Sequence, residues 1–320
     1  MSLTRIGILG YGSIAKKHMA AIAALPHTEV VAAHDAYAEP EGAVPFYRDM
    51  DSFLAQDMDL VSVCTPNGLH ASHAIAALQA GHHVICEKPF ALSSADCDQM
   101  IAKAKKVDRK IYCTMQNRFS PVSQFLKHVV EEEKLGALYL INVSCYWNRN
   151  AAYYAAADWR GQQRLDGGTL FTQFSHYVDT VYWLFGQLKI LNGRFANFDH
   201  QGLIDFEDTG IFNFTLDNGA LGNFAYTTSC YEKNFESSLS LIGSRGTIKV
   251  AGQYMDKVVY CNVEGMTPPE LPANDNLANI KNVYLHALKD LKGEANSATS
   301  AEDGRAVVSA IEEVYAFRTS

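Results

Sequence analysis

The stretch Arg5-Ile6-Gly7-Ile8-Leu9-Gly10-Tyr11-Gly12-Ser13-Ile14-Ala15 decides the fold. Its apolar run up to Gly10 has the pattern of a β-strand, and the residues after Gly12 have the pattern of a helix, so a GxGxxA turn joins the two. Gly10 permits a tight turn, Gly12 lets the backbone approach a pyrophosphate, and Ala15 lets the helix sit close to the strand. Free N–H groups at the helix start, around Ser13 and Ile14, then face phosphate charge. Asp35 closes the second strand about 25 residues after Gly10, near the spacing at which a carboxylate meets adenosine ribose hydroxyls. It repels a 2′-phosphate, and Ala36 to Glu39 offer no lysine or arginine to accept one, so NAD is favoured over NADP. The plainer role for Asp35 is to open a turn.

Working outward, short β-branched runs alternate with helical patterns from residue 3 to about residue 115, as a parallel sheet with crossover helices requires. Strands are expected at Arg5–Gly10, Val30–Ala33, Leu60–Thr65, His83–Pro89 and Lys110–Met115, with helices near 13–25, 69–80 and 93–107. Ser93 or Ser94 with Asp96 supplies a helix start. Beyond residue 116 come a helix near 119–134, a strand, a turn-rich stretch and a helix near 169–185. Alternating runs come next at Gly210–Leu216, Ala220–Ser229, Ser238–Gly243 and Gly246–Val250, turning at Asp217-Asn218-Gly219 and at Gly243 to Gly246. The expectation is an α/β protein: residues 1–118 form a doubly wound Rossmann domain. Residues 119–320 form a substrate-binding and oligomerisation domain around a large open, mainly antiparallel sheet. Two helices close the chain, the last capped by Ser300 with Asp303, and it is a candidate to pack back on the first domain.

Composition narrows the partners. A net charge of -8 over 320 residues leaves no positive excess for a nucleic-acid backbone. The basic run Ala102 to Lys110 falls where a helix should end, and there cations complement the helix dipole. Seven cysteines without a CxxC pair fit buried thiols in a reducing cytoplasm. No apolar run approaches the roughly 18 residues that span a bilayer. The histidine pairs His70/His73 and His82/His83 lack partners in a metal-ligand array, so no metal site is expected.

Glu87-Lys88-Pro89, together with the GxGxxA turn, Thr65-Pro66-Asn67 with His70, Asn117-Arg118, Trp159-Arg160 and the series Gly167, Gly168, His176, Asp179, resembles the Gfo/Idh/MocA family of dehydrogenases along nearly the whole chain. The resemblance implies a Rossmann domain followed by an α/β domain whose sheet often makes a subunit interface, giving a homodimer or homotetramer. It also implies sugars, inositols or sugar nucleotides as substrates. Thr65, Pro66, Asn67, His70, Glu87, Lys88 and Asn117 would line the dinucleotide, and Trp159-Arg160 would close over it.

The chemistry of the residues agrees with that placement. Lys88 comes after a strand whose carboxyl end opens on the crevice where such sheets bind ligands, and an ammonium there stabilises negative charge on a reacting oxygen. His176 titrates near neutrality and can take the proton of an oxidised hydroxyl. Thr172 and Asp179 lie one helical turn to either side of it. The commonest family pattern has an aspartate where this chain has Thr172, which can orient an imidazole or a hydroxyl but supplies no carboxylate. Tyr146, Trp147, Asn148 and Arg149 mix aromatic faces with a cation, suited either to a sugar or base with its carboxylate or phosphate, or to a core cluster. Arg118 can reach substrate or brace the domain junction.

These features predict an NAD-dependent oxidoreductase that moves hydride to or from a secondary alcohol of a sugar, sugar acid or nucleotide sugar. A lyase or hydrolase that oxidises its substrate only transiently on bound NAD has the same sequence signature. A non-catalytic NAD-binding sensor is the alternative of another class, and the presence of both Lys88 and His176 argues against it.

Overall fold

The computed structural model describes residues 3–294 and 299–318. The chain divides into two compact units, one of residues 1–116 and 276–308, the other of residues 117–275 and 309–320.

The first unit is built on a parallel sheet. Its strands are β1 (Thr4–Leu9), β2 (Thr28–His34), β3 (Phe46–Tyr47), β4 (Leu60–Val63), β5 (His83–Cys86) and β6 (Ile111–Cys113), in the order β3-β2-β1-β4-β5-β6. Helices α1 (Ser13–Ala23), α2 (Met50–Leu54), α3 (His70–Gln79) and α4 (Ser94–Lys106) connect them. The order reverses direction at β1 and β4, the switch point beside which a doubly wound sheet binds its ligand. Both faces of the central strands are covered, so Ile6, Ile8, Leu9, Val61, Val63, Val84 and Ile85 are all buried, and these strands read as continuous apolar runs. The Ser93 side chain caps α4 by accepting from the Asp96 N–H at 3.1 Å.

The second unit opens with α5 (Pro121–Glu131) and then β7 (Leu138–Tyr146), α6 (Ala151–Ala155) and α7 (Gln163–Asp166). The helix expected near 169–185 is two structures: a π-helical segment at Leu170–Phe174 runs into α8 (Ser175–Phe185). Strands β8 (Lys189–Ala196), β9 (Thr209–Thr215), β10 (Leu221–Thr227), β11 (Glu236–Gly243), β12 (Gly246–Ala251) and β13 (Lys257–Val263) complete a seven-stranded sheet, ordered β13-β12-β11-β7-β10-β9-β8. Its pairs are antiparallel except β7 with β10, which is parallel. One face carries Phe212, Phe214, Phe224 and Tyr226, all buried. The other shows Leu140, Ile211, Leu221 and Ile242 to solvent along with a ladder of Asn142, Asn223, Asn213 and Asn192 amides. That alternation is the period of two of a strand with one covered face.

Helix α9 (Asn276–Leu291) returns to the first unit and packs on α1. Helix α10 (Ala301–Tyr315) starts on its expected cap, with the Asp303 N–H donating to Ser300 Oγ at 3.1 Å.

Candidate active site residues

In the first unit the glycine turn has the shape that a dinucleotide needs. Gly10 sits at φ +93°, and a Cβ there would come 2.8 Å from the Cys64 carbonyl carbon and oxygen, so no other residue fits without moving β4. A Cβ on Gly12 would meet nothing within 4 Å; the backbone is approachable from outside. Gly12 is also the N-cap of α1, with no side-chain cap and no acidic residue in the first turn. The Ser13 and Ile14 N–H groups are thus placed for an external anion.

Asp35 is half-buried and tied to this turn. Its Oδ2 accepts from the Tyr11 N–H at 2.9 Å, and its Oδ1 accepts from the N–H groups of Tyr37 and Ala38 at 2.8 and 2.9 Å. Burial works to raise its pKa, but the three backbone donors more than offset this and hold the carboxyl below its usual value. An ionised carboxylate offers about four lone-pair sites, so an acceptor remains for a ribose hydroxyl. Asp35 therefore opens a turn and still presents charge. Arg48, whose distance of 13 residues along the chain hides it from a reading of the Asp35 turn, bonds the Asp35 carbonyl at 3.3 Å and the Ala38 carbonyl, and pairs with Glu39 at 3.2 Å.

The other predicted groups of this unit gather where β4 and β5 end. Asn67 begins a short 3-10 turn after Thr65 and Pro66, and its side chain is buried. His70 spans two loops, with Nδ1 2.7 Å from the Pro89 carbonyl and Nε2 2.9 Å from the Thr65 carbonyl. Burial pushes its pKa down, against the two carbonyls and Glu87, which favour the charged ring. Glu87 is buried against His18 at 2.8 Å; His18 in turn meets Tyr284 of α9 at 2.7 Å, and Tyr284 meets Ser62 at 2.5 Å. This chain anchors the residue before Lys88, whose side chain is half-buried beside the cis Lys88–Pro89 bond.

In the second unit Asn117 and Arg118 lie on a 3-10 turn, and both are buried. Arg118 and Asp179, both candidate substrate residues, face each other: Nη2 is 2.6 Å and Nε 3.1 Å from the carboxylate, with Trp183 against the guanidinium at 5.6 Å. His176 is half-buried on the second residue of α8, and Thr172 lies in the π-helical segment before it. π-helical turns recur at functional positions. The Thr172 hydroxyl donates to the Asp166 carbonyl at 2.9 Å and also meets the Asp166 carboxylate, which accepts from the Gly161 N–H at 2.8 Å. Asp166 is thus a fully buried carboxylate next to the position where an aspartate was expected. Its only signal in the sequence is that it directly precedes Gly167-Gly168.

Strand alternation separates Tyr146 from Trp147. Trp147 is buried, donates from Nε1 to Ser237 Oγ at 2.7 Å and packs edge-on to Phe174 and Tyr177. Tyr146 points to the other face, where its ring runs parallel to Phe235 at 6.3 Å. An open cleft of about 800 Å³ lies there, lined by Tyr146, Cys230, Tyr231, Lys233, Asn234 and Phe235. Trp159 and Arg160 occupy the turn after α6, with the Arg160 guanidinium 4.3 Å from the Tyr153 ring. No group of three or more His, Cys, Asp or Glu able to hold a metal occurs among the described residues. No helix among them is long and apolar enough to cross a membrane.

Comparison with known proteins points in one direction. Residues 4–115 match the family described as an oxidoreductase family with an NAD-binding Rossmann fold, and residues 123–249 match the GFO/IDH/MocA C-terminal domain. The WlbA dehydrogenase of Bordetella pertussis, solved with NADH and UDP-GlcNAcA, superposes with a TM-score of 0.92 at 28% identity, over 99% of this chain and 95% of that one. The myo-inositol 2-dehydrogenase of Thermotoga maritima is 26% identical over 320 residues, covering 94% of this chain and 92% of its own. The levoglucosan dehydrogenase of Pseudarthrobacter phenanthrenivorans is 25% identical over 286 residues, 78% of this chain and 73% of its own.

Proposed function

We propose that this chain, which belongs to the Gfo/Idh/MocA family of oxidoreductases, transfers hydride between bound NAD and a secondary alcohol or ketone of a carbohydrate. The observation that carries this reading is the glycine turn: Gly10 is sterically obligatory, α1 begins without a cap, and a carboxylate is anchored to the same turn. When bound, the dinucleotide accepts or returns the hydride. The backbone of Gly12, Ser13 and Ile14 holds its pyrophosphate, and Asp35 holds the adenosine ribose. Thr65, Pro66, Asn67, His70, Glu87 and Asn117 shape the remainder, with Trp159 and Arg160 covering it.

Lys88 donates a hydrogen bond to the reacting oxygen and stabilises charge as a hydroxyl becomes a carbonyl. His176 removes the hydroxyl proton in oxidation and returns it in reduction. Thr172 has its proton directed at Asp166, so it serves as an acceptor for a substrate hydroxyl and as a tie for the π-helical segment. NAD is preferred over NADP because Asp35 repels a 2′-phosphate while Arg48 is occupied by Glu39 and two carbonyls. A second copy of the chain covers the outer face of the seven-stranded sheet, where exposed Leu140, Ile211, Leu221 and Ile242 flank the asparagine ladder; a mass of 35.3 kDa by light scattering would exclude this.

Lys88→Ala and His176→Ala are expected to keep NAD affinity while lowering turnover about 10²–10⁴-fold, read as NADH absorbance over a panel of sugars and nucleotide sugars. Unchanged turnover in both variants refutes the assignment. Turnover without net NADH would instead favour a lyase or hydrolase using NAD transiently.

A further inference from the structure

The π-helical segment Leu170–Phe174 is held at its start by residues far along the chain. The Thr169 hydroxyl donates to the Glu207 carbonyl at 2.5 Å, and the Leu170 N–H donates to the phenol oxygen of Tyr315, the last residue of α10, at 2.9 Å. Tyr315 in turn donates to Glu207 Oε1 at 2.7 Å. Tyr226 donates to the same oxygen at 2.8 Å, and Arg318 pairs with Oε2. One buried residue, Glu207, thus meets the start of the segment twice, through its own carbonyl and through the phenol of Tyr315.

Tyr315 is itself fixed. Its ring lies 5.7 Å from that of Phe171, inside the segment, and 5.9 Å from that of Phe195 on β8, and the Arg318 guanidinium lies 3.3 Å from its centroid. Gly168, at φ +126°, comes so close that a Cβ there would lie 2.6 Å from Tyr315 Oη. Burial and the neighbouring Glu207 push the Tyr315 pKa up, so the phenol keeps the proton that it donates.

A π-helical turn carries one residue more than the α-helical turn it replaces. Returning it to α geometry rotates the residues after it by about 100° relative to those before it, because an α-helix advances 3.6 residues per turn. In an α-helix the Leu170 N–H would seek the Asp166 carbonyl, four residues back, and that oxygen receives the Thr172 hydroxyl at 2.9 Å. By taking the Leu170 N–H, Tyr315 leaves the Asp166 carbonyl to Thr172.

We propose that Tyr315, with Glu207 and Arg318 behind it, is a positioning residue: it holds the π-helical register and thereby sets Thr172 and His176 for proton transfer. It acts through those two side chains rather than on substrate or cofactor. Its role in turnover rests on the hydride-transfer reading; its hold on the register does not.

Two phenylalanine variants separate positioning from stability. Tyr315→Phe and Tyr226→Phe each remove one hydroxyl from Glu207 Oε1, but only the first releases Leu170. Hydrogen exchange read by mass spectrometry on peptides spanning 168–176 should quicken about fivefold in Tyr315→Phe, the worth of one ordinary hydrogen bond, and stay at the wild-type rate in Tyr226→Phe. Turnover is followed as NADH formed from glucose, glucuronate, myo-inositol and UDP-glucose. For each of these that the wild-type protein oxidises, Tyr315→Phe should lower kcat about 10–100-fold, with KM and NAD affinity within about twofold, while Tyr226→Phe keeps kcat. Unchanged exchange in Tyr315→Phe, or exchange that quickens equally in both variants, overturns the hold on the register. Equal losses of kcat in the two variants, tracking their melting temperatures, leave a stability role alone and overturn the positioning. Quickened exchange confined to Tyr315→Phe, with no sugar oxidised by the wild-type protein, would uphold the register and sink the hydride-transfer reading. NADH formed with kcat unchanged in Tyr315→Phe would do the reverse.

Discussion

The glycine turn with Asp35 and the segment from Asp166 to Asp179 present functional groups in opposite ways. In the first, backbone does the holding: Asp35 is fixed by three N–H groups, the Gly10 N–H donates to the His34 carbonyl at 2.8 Å, and the Cys64 carbonyl leaves no room for a Cβ on Gly10. In the second, side chains hold one another: Arg118 with Asp179, Thr172 with Asp166, Arg149 with Gln173 and Tyr153. A backbone-held site is tolerant of most substitutions except where a Cβ is forbidden. A site held by buried side chains loses its geometry when any one partner is cut away.

The largest expected effect lies in the side-chain-held segment. Asp179→Ala leaves Arg118 buried without its carboxylate and should cost about 3–5 kcal/mol in urea denaturation. A cost below about 1 kcal/mol would mean that the segment is not organised by this pair. Next comes Gly10→Ala: with φ at +93° and the Cys64 carbonyl 2.8 Å from the new Cβ, about 1–3 kcal/mol of strain is expected, together with weaker NAD binding. Wild-type NAD affinity and melting temperature in that variant would remove the steric basis of the turn. The smallest effect is Asp35→Ser. It should lower the preference for NAD over NADP by about tenfold, or 1.4 kcal/mol, with Arg48 already beside the turn. An unchanged ratio in paired titrations would show that Asp35 is no more than a turn former.

The two regions also differ in how far they were legible from sequence. GxGxxA, the spacing to Asp35 and the alternation of apolar runs foretold the order of strands and helices in the first unit, since each signal depends on residues close along the chain. The small β3 and α2 were not foretold; a two-residue strand has no period to read. In the second unit the central strands β9 to β12 were legible because one face is covered and the other is not. Both edge strands, β8 and β13, were missed, since an edge strand is exposed on more sides and its alternation fades. The π-helical turn at Leu170–Phe174 carries no composition that separates it from the α-helix it joins.

By itself the sequence determined the dinucleotide turn, the doubly wound sheet, the open, mainly antiparallel sheet and the residue types available for hydride chemistry, because local backbone preferences and periodic burial are written along the chain. Only the tertiary structure decided which charges meet. It paired Arg118 with Asp179 across 61 residues and brought Asp166 to Thr172. It also put Trp147 and Tyr146 on opposite faces and set Arg149 and Arg160 around the Tyr153 ring. Partnership between side chains depends on distances in space, and no spacing along the chain encodes them.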